Sequence, residues 1–468
     1  MILNNDTIAA IATALSNSGI GIIRVSGIDS INIVDKLFRN KNKKQCLKEY
    51  NTHTIHYGYI FSDGNIIDEV MISVMKAPNT FTMEETVEIN CHGGVLVMNK
   101  ILGLVIENGA RLAEPGEFSK RAFLNGRIDL SKAEAIMELI HAKNDISLKT
   151  SIRQLSGSIY NEISQIRDGI LYEIAFIESA LDDPEHVSLD GYYDGLIPKI
   201  DKLISKLEKM ENSFKNGKII KEGIQTVIVG KPNVGKSSLL NYMSGSNRAI
   251  VTDIAGTTRD ILEQEINIDG IHLNMIDTAG IRSTDDIIEK IGVEKSKEYI
   301  NEADLILYMI DASIPINQDD IDIIKSIKDK KSIILLNKSD LKTVVNQENI
   351  NNIYSEINNN YDDLYILEIS VKEDIGLDNF KNLIRKLFIE NKIDFDEEVT
   401  ITNLRHLNLI KEAKSALVLV RKSIEDEMPE DFLSIDMMNA YISLGLIIGE
   451  EVNDDVVNEI FSKFCTGK

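Results

Sequence analysis

A glycine-rich segment beginning at Gly230 most constrains what this chain can fold into. It reads Gly230-Lys231-Pro232-Asn233-Val234-Gly235-Lys236-Ser237 and matches the pattern G-x-x-x-x-G-K-S, whose backbone N–H groups surround phosphates. An apolar run, 225–229, precedes it, and a helix-forming run follows from residue 238. This strand–loop–helix order predicts an α/β domain that binds a nucleoside triphosphate, in which Lys236 contacts the outer phosphates and Ser237 ligates Mg²⁺.

Two downstream segments favour guanine as the base. Asn337-Lys338-Ser339-Asp340 follows the apolar run 332–336, and the Asp340 carboxylate can accept both N–H donors on the guanine edge. Adenine offers no such pair of donors. Ser370-Val371-Lys372 follows the run 365–369 and resembles the S-A-K element whose backbone contacts the guanine carbonyl, with Val371 in place of alanine. Ordinary turn chemistry is the alternative for an isolated N-K-S-D segment, but this one stands behind a phosphate loop.

Two further segments complete the predicted GTP site. Asp277-Thr278-Ala279-Gly280 follows the run 272–276, which places a carboxylate near Mg²⁺ and a glycine N–H near the γ-phosphate. Thr258 is the natural second hydroxyl ligand for Mg²⁺, and hydrolysis is the expected chemistry. The predicted GTP-binding residues are Asn233, Val234, Gly235, Lys236, Ser237, Ser238, Thr252, Asp253, Ile254, Ala255, Gly256, Thr257, Thr258, Asp277, Thr278, Ala279, Gly280, Asn337, Lys338, Ser339, Asp340, Ser370, Val371 and Lys372.

The segment Gly256-Thr257-Thr258-Arg259-Asp260 resembles that of GTPases that bind K⁺ and dimerise through their G domains. Ile281 stands where many small GTPases carry a water-orienting glutamine, so water must be activated by another group. The resemblance implies K⁺ ligands at Asn233, Thr252, Ile254 and Thr257, with the ion in place of an arginine finger. It implies Lys236, Thr258 and Glu289 as catalytic residues, with Glu289 orienting water through a bridging water. A solvated helix residue in an acidic run is the alternative for Glu289.

Composition limits the class of protein. The 468-residue chain carries a formal charge of −23, which argues against a protein that coats nucleic acid, so any RNA partner must meet a local patch. Its three cysteines, Cys46, Cys91 and Cys465, are far apart and indicate a reducing cytosol without disulfides. No apolar stretch approaches the length of about 18 residues that a membrane-spanning helix needs, and no signal sequence is evident. We expect a cytoplasmic protein of about three domains.

Periodicity predicts a multidomain α/β and α protein. Residues 1–118 read as an α/β domain, in which the strand at 86–92 places Val87, Ile89 and Cys91 on one face and Glu88, Asn90 and His92 on the other. Residues 119–216 and 390–468 read as helical, with apolar faces that include Leu171, Ile174 and Ile177 and Ile410, Leu417, Leu419 and Val420. Residues 217–389 between them read as a Ras-like P-loop G domain that interrupts one helical domain.

Over its full length the chain resembles the MnmE (TrmE) family of tRNA-modification GTPases. The resemblance rests on five segments: Asp6-Thr7-Ile8-Ala9-Ala10, Gly21-Ile22-Ile23-Arg24-Val25-Ser26-Gly27, Cys91-His92-Gly93-Gly94, Pro115-Gly116-Glu117-Phe118 with the following Arg121-Ala122-Phe123-Leu124-Asn125-Gly126, and Phe464-Cys465-Thr466-Gly467-Lys468. It implies that the chain works with an FAD-dependent partner, MnmG (GidA), to add an aminomethyl or carboxymethylaminomethyl group at C5 of the wobble uridine of certain tRNAs. The flavin belongs to the partner.

The resemblance also implies a folate site in the N-terminal domain. A tetrahydrofolate derivative, formyl or methylene, supplies the one-carbon unit and is contacted by Arg24, Glu88, Arg127 and Lys468. Many members carry lysine where this chain has Arg127, and the tail Cys-Thr-Gly-Lys departs from the common Cys-Ile-Gly-Lys.

Because Lys468 ends the chain, the helical domain or a second subunit must bring it to this site. The family assembly is a homodimer joined through the N-terminal domains, which forms a heterotetramer with MnmG.

Two alternatives stay open at the level of sequence. A ribosome-assembly GTPase of the Era or EngA kind would share the G-domain motifs, but such proteins usually carry a basic RNA-binding appendage. A regulatory G-domain dimer without folate would leave Arg24, Glu88 and Arg127 unexplained. The exposed-tail residue Cys465 reads either as frayed and inert or as a reactive thiol.

Overall fold

A computed structural model describes residues 6–467 except 43, 46, 184, 187, 188, 190, 246–263, 269, 277–299, 301–302, 358–363, 391–398 and 451. The chain forms two compact units. The first, here called the sheet–helix unit, comprises Met1–His141, Ser151–Glu208 and Asn408–Lys468, and the second, the nucleotide unit, comprises Ala142–Thr150 and Lys209–Leu407. The predicted domain limits at residues 118, 216 and 389 stay predictions.

A seven-stranded sheet forms the N-terminal part of the sheet–helix unit. Its strands are β1 (Ile8–Ile11), β2 (Ser18–Ser26), β3 (Phe38–Asn40), β4 (Thr54–Ser62), β5 (Asn65–Met75), β6 (Thr86–Gly93) and β7 (Arg111–Leu112). They lie in the order β3-β4-β5-β6-β2-β1-β7, and all pairs are antiparallel except β1 with β7. Strands far apart in the chain, such as β2 and β6, are thereby neighbours.

One face of this sheet is buried, and the other, here called the open face, exposes Tyr57 and Met71 but is covered at β1 by Phe118. Val87 and Ile89 of β6 are fully buried in a core that includes residues of the helices α1 (Ser30–Leu37) and α2 (Val95–Glu107). Glu88 lies on the opposite face, as the period-two pattern predicted. Alternation therefore gives β6 an apolar face for the core and a polar face outside it.

Helices form the rest of this unit. They are α3 (Glu117–Leu124), α4 (Leu130–Ile140), α5 (Asp145–Leu155), α6 (Ser158–Asp182), α7 (Tyr192–Glu222), α12 (Leu404–Glu425), α13 (Glu430–Ile448) and α14 (Asp454–Ser462). Parts of α5, α7 and α12 belong to the nucleotide unit. Two predicted core positions were wrong, since Leu171 is 43% exposed and Leu419 is 50% exposed. Ile170, one residue from Leu171, occupies the buried helical stripe instead, whereas Val420 is fully buried as predicted.

The C-terminal segment packs back onto α3 and α4. Phe461 and Phe464 are buried with Leu130, and the Gly116 N–H donates to the Cys465 carbonyl (3.2 Å). Gly116 has φ 69°, and a Cβ there would lie 2.4 Å from the Phe461 carbonyl oxygen. The Pro-Gly-Glu-Phe motif therefore requires glycine at this position for the close approach of the tail.

The nucleotide unit contains a six-stranded sheet with strands β8 (Ile224–Gly230), β9 (Gln264–Ile268), β10 (Ile271–Met275), β11 (Leu305–Asp311), β12 (Ser332–Asn337) and β13 (Leu364–Glu368). The order is β13-β12-β11-β8-β10-β9, and all pairs are parallel except β9 with β10. Its helices are α8 (Lys236–Gly245), α9 (Gln318–Ser326), α10 (Gln347–Ile357) and α11 (Leu377–Arg385). The four strands predicted next to the nucleotide motifs are confirmed within one residue.

Among the described residues, no helix is both long enough and apolar enough to cross a membrane.

A buried ionic cluster anchors the start of the chain to α3. The Arg121 side chain is 5% exposed and lies 2.6 Å from Asp6 Oδ1, 3.1 Å from Glu84 Oε1 and 3.0 Å from Glu117 Oε1. Arg111 binds both Asp6 and Glu117 from the other side. Burial alone would raise the pKa of Glu117, but hydrogen bonds from Arg111, the Glu114 N–H and Arg121 lower it overall.

Replacing Arg121→Met leaves three carboxylates without their central cation. We expect the free energy of unfolding of the sheet–helix unit to fall by about 3–5 kcal/mol, measured by urea denaturation. The exposed pair Lys463–Glu459 provides the control, because Lys463→Met should change stability by less than about 1 kcal/mol.

The contribution of Glu117 should be complete above about pH 4.3, its unfolded pKa, and should be lost as the pH falls through its lower folded pKa. If Arg121→Met and Lys463→Met lowered the free energy of unfolding equally, the cluster would not have this stabilising role.

Candidate functional site

The phosphate loop joins β8 to α8 at the carboxyl end of the parallel strands. Its backbone takes left-handed conformations at Gly230 (φ 150°), Asn233 (φ 63°) and Gly235 (φ 108°). A Cβ at Gly235 would lie 2.4 Å from Asn337 Nδ2, and one at Gly230 would lie 2.5 Å from the Met309 carbonyl oxygen. Both motif glycines are therefore required by close contacts with neighbouring strand ends.

Lys236 and Ser237 begin α8, where helix N–H groups favour an anion. The Lys236 ammonium donates to the carbonyls of Gly230 (2.6 Å) and Lys231 (2.7 Å), so it lies over the loop that is predicted to hold the phosphates. Burial lowers the pKa of Lys236. Ser237 and Ser238 are exposed at the first turn of the helix, in a position to reach a ligand.

Asn337 joins three loops of the nucleotide unit. Its side chain is 4% exposed, its Nδ2 donates to the Val234 carbonyl (2.7 Å), and its Oδ1 accepts from the Val371 N–H (3.1 Å). One amide thus connects the phosphate loop, the Asn-Lys-Ser-Asp loop and the Ser-Val-Lys loop. Because all three meet at the end of the sheet, the sequence motifs lie where a single nucleotide can contact them.

The residues predicted to face guanine are also held in place. The buried Ser370 hydroxyl donates to Asp340 Oδ1 (2.6 Å), while the Asp340 side chain is exposed. Lys338, which has φ 63°, pairs with Asp311 at 2.5 Å. Burial alone would raise the pKa of Asp311, but hydrogen bonds from Lys338 and Ser313 lower it overall. Asp340 is therefore oriented through Ser370, and the loop around it through the Lys338–Asp311 pair.

Sequence reasoning missed Asp311. The signal was present, because this aspartate directly follows the apolar run 305–310 and the carboxyl ends of neighbouring parallel strands share one edge of the sheet. The predicted site residues Thr252, Asp253, Ile254, Ala255, Gly256, Thr257, Thr258, Asp277, Thr278, Ala279, Gly280, Glu289 and Lys468, together with Ile281, lie outside the described residues.

A second group of predicted site residues lies on the open face of the seven-stranded sheet. Arg24 in β2 and Glu88 in β6 are register partners, and Arg24 Nε donates to Glu88 Oε1 (2.9 Å). Arg24 Nη1 also donates to the Gly467 carbonyl (3.2 Å), and its guanidinium lies 5.6 Å from the centre of the Phe118 ring. The tail of the same chain therefore reaches Arg24. Of the two routes that the sequence left open, the helical domain or a second subunit, Gly467 needs only the first, because the chain's own C-terminal segment brings it there.

Arg127 lies beside a cavity near this group. Its Nη1 donates to the Phe81 carbonyl (2.9 Å), and its guanidinium is 4.9 Å from the centre of the Phe81 ring. Phe81 packs against the small cluster that contains Phe118, so Arg24 and Arg127 flank connected aromatic rings. The cavity has a volume of about 470 Å³ and is lined by His53, Met75, Pro78, Asn79, Thr80, Phe81, Met83 and Arg127.

Replacing Asn337→Ala should separate the three nucleotide loops. It leaves the Val234 carbonyl and the Val371 N–H without their partner, at a cost of about 1–3 kcal/mol each. We expect the Kd for GDP, measured by fluorescence titration, to rise about tenfold or more. The control Asn349→Ala removes only the hydrogen bond that Asn349 Oδ1 accepts from the Asn346 N–H at the exposed start of α10, and should leave the Kd unchanged. Equal Kd values for the two variants would exclude this role of Asn337.

Comparison with known proteins agrees with this geometry. Residues 7–127 match the family model of the GTP-binding protein TrmE N-terminus, and residues 130–465 match that of the MnmE helical domain. The chain is 53% identical over 466 residues to the tRNA modification GTPase MnmE of Lachnoclostridium phytofermentans, covering 100% of both chains. It is 49% identical to the protein of the same name from Acetivibrio thermocellus, and 46% identical to that from Clostridioides difficile, each over 99% of both chains. The chain therefore belongs to the MnmE family of tRNA modification GTPases.

Proposed function

We propose that this chain is a K⁺-stimulated GTPase that modifies tRNA together with an FAD-dependent MnmG partner. The reaction adds an aminomethyl or carboxymethylaminomethyl group at C5 of the wobble uridine, and a formyl- or methylene-tetrahydrofolate supplies the one-carbon unit. The observation that carries the folate part of this proposal is the meeting of Arg24, Glu88 and Gly467 on one face of the sheet. These residues are distant in sequence. Arg24 and Glu88 belong to the set of folate-contacting residues that the family resemblance implies, and Gly467 precedes Lys468 of that set.

The nucleotide part is supported by the three loops that Asn337 joins. Lys236 provides a cation for the outer phosphates, and the Asp340 carboxylate is available to the two N–H donors of guanine. Ser370 fixes the direction of that carboxylate. The position of Ser237 at the start of α8 fits a hydroxyl ligand for Mg²⁺. Phosphoryl transfer from such a site depends mainly on positioning and on stabilisation of negative charge.

Among the described residues, the fit to K⁺ rests on Asn233. Its exposed side chain stands at a left-handed turn of the phosphate loop and carries an amide oxygen, which suits a hard monovalent cation. A cation next to the phosphates would offset the charge that develops during hydrolysis. Glu289 remains the candidate for orienting water.

The folate part depends on charge and on shape. Glu88 can accept N–H donors of a pterin-like ring, while Arg24, Arg127 and Lys468 suit the carboxylates of the ligand. Arg24 and Glu88 are 20% and 22% exposed, so both remain accessible while they hold each other in place. The cavity beside Arg127 offers apolar and polar walls for a ligand of this size.

The partners follow from the family. We propose a homodimer that forms a heterotetramer with MnmG and acts on tRNA in the cytoplasm. The tail of the chain reaches Arg24 without a second subunit, so the homodimer rests on the resemblance alone. The full-length relatives named MnmE disfavour the alternative of a ribosome-assembly switch without modification activity.

Hydrolysis of GTP should be several-fold faster in KCl than in NaCl at equal ionic strength. The reason is that Asn233 and the segment 252–258 offer oxygen ligands to an ion that replaces an arginine finger. Steady-state phosphate release measures this effect, with Asn233→Ala as the variant that should lose it. Equal rates in both salts would remove K⁺ from the mechanism while leaving guanine recognition intact.

Replacing Glu88→Gln should weaken binding of 5-formyl-tetrahydrofolate by about tenfold or more, because one charged acceptor is lost. Isothermal titration of the full chain measures the affinity. Modification of the wobble uridine with MnmG present should fall with it, while GTP hydrolysis persists. The exposed Glu107, at the end of α2, gives the matched control Glu107→Gln. Unchanged folate affinity in Glu88→Gln would contradict the assignment.

A further inference from the structure

A local excess of positive charge lies at one edge of the seven-stranded sheet. Residues 36–48 hold six lysines or arginines and no aspartate or glutamate, in a chain whose formal charge is −23. The six are Lys36, Arg39, Lys41, Lys43, Lys44 and Lys48. Residues 39–48, here called the basic turn, begin in the edge strand β3 and include five of them.

Side-chain hydrogen bonds of Asn40 and Asp35 support the described residues of the basic turn. Asn40 Oδ1 accepts from the backbone N–H groups of Asn42 (2.9 Å) and Lys44 (3.0 Å). Leu47 is fully buried, and its N–H donates to Asp35 Oδ1 (2.8 Å). Three lysines of the turn, Lys41, Lys44 and Lys48, are exposed, and in the part of the chain that the structure describes none of them pairs with a carboxylate.

Aromatic rings lie beside these cations on β4. Lys41 Nζ is 5.0 Å from the centre of the Tyr57 ring, and Tyr57, Tyr59 and Phe61 follow one another with ring centres 5.8 Å and 6.4 Å apart. The nearby carboxylates have partners, since Glu69 accepts from the Tyr57 hydroxyl and Asp68 binds His92. Cations next to accessible rings are typical of surfaces that bind single-stranded nucleic acid.

The basic turn is continuous with the face that carries Arg24 and Glu88. Tyr57 pairs with Met71, Met71 with Asn90, and Glu88 lies two residues from Asn90 in the same strand. Tyr57 and Glu88 therefore share one face of the sheet. Strands β4, β5, β6 and β2 are consecutive in the sheet, so β4 and β2 are separated by three spacings of about 4.8 Å, or roughly 14 Å in all.

We propose that the basic turn is an RNA-binding surface that contacts the phosphate backbone of single-stranded or loop RNA. This inference rests on the proposed function, because it assigns a surface to the tRNA substrate. Charge complementarity carries it, since a polyanion meets net repulsion from the whole chain but finds three exposed, unpaired lysines here. An RNA loop bound along β3 and β4 would lie beside the open face that holds Arg24 and Glu88.

The test compares two triple substitutions in the full chain. The first is Lys41→Gln, Lys44→Gln and Lys48→Gln in the basic turn. The control is Lys202→Gln, Lys209→Gln and Lys215→Gln on α7, where three exposed lysines are removed for the same change in net charge. Binding of a fluorescein-labelled, unmodified tRNA anticodon stem-loop is measured by anisotropy at several KCl concentrations. GTP hydrolysis and 5-formyl-tetrahydrofolate binding are measured on the same samples.

The basic-turn variant should bind the RNA about tenfold more weakly at low salt, and the slope of log K against log salt should become shallower by about 2, as expected for three lost phosphate contacts. The control should remain within about twofold of the unsubstituted chain. Equal losses in both variants, no loss in the basic-turn variant, or no binding by the unsubstituted chain at about 50 mM salt would each overturn the proposal.

Two further outcomes separate this inference from others. Binding of phosphatidylserine vesicles that is lost in the basic-turn variant, with RNA binding unchanged, would overturn the proposal and assign the turn to a membrane surface. If the basic-turn variant loses RNA binding and the unsubstituted chain binds no folate, the RNA surface is supported and the folate assignment is removed. GTP hydrolysis should be the same in all three proteins, because none of the substituted lysines belongs to the nucleotide site.

Discussion

The nucleotide site depends on one buried side-chain amide. Asn337 donates to the phosphate loop at Val234 and accepts from the Val371 N–H, so the loops that recognise phosphate and base cannot move apart without breaking a buried hydrogen bond. A residue that satisfies two backbone groups at once is costly to replace, because each group left unpaired carries a desolvation penalty. Ser370 and the Lys338–Asp311 pair extend the same network to the base-recognising loop. The loops that are predicted to recognise guanine are thus connected to the phosphate loop by the hydrogen bonds of Asn337.

The open face of the seven-stranded sheet depends on interactions of a different kind. Pairing between β2 and β6 sets Arg24 opposite Glu88, and the C-terminal tail adds the Gly467 carbonyl. The buried cluster around Arg121 binds Asp6 to α3. Gly116, which directly precedes α3, donates its N–H to the Cys465 carbonyl of the tail. Asp6 and Gly467, which lie near the two limits of the described residues, are therefore each bound by an arginine of the sheet–helix unit. A ligand bound there would contact residues whose relative positions are set by the whole sheet–helix unit.

Charge is distributed in this protein by segment. The net charge of −23 describes the chain as a whole, while residues 36–48 carry six basic residues and no acidic one. Screening limits long-range repulsion to about 8–10 Å at physiological salt, so local arrangement decides which ligand a surface attracts. Phosphates of the nucleotide meet Lys236 and helix N–H groups, and the basic turn presents its lysines on a separate edge. An acidic protein can therefore act on anionic substrates.

The sequence by itself determined the nucleotide motifs and the strands before them, because a phosphate loop is a contiguous pattern in which spacing fixes geometry. It also determined the two faces of β6, since alternation has a period of two, and it identified the MnmE family, which the full-length relatives confirm. Apolar periodicity was less decisive in long helices, where Leu171 and Leu419 were assigned to apolar faces but are exposed, each next to a buried residue, Ile170 or the correctly assigned Val420. A one-residue shift rotates a helical position by about 100°, which the pattern alone does not resolve at the edge of a stripe.

Only the tertiary structure decided the contacts between distant segments. The cluster around Arg121, the pairing of Lys338 with Asp311 and the approach of Gly467 to Arg24 join residues far apart in the chain, and no local pattern records such partners. The same holds for the basic turn, whose composition was legible but whose place beside the aromatic rings and the Arg24–Glu88 face follows from the strand order. The spacing of residues in the sequence determines contiguous motifs such as the phosphate loop. The order of the strands in the sheet determines which distant segments come into contact.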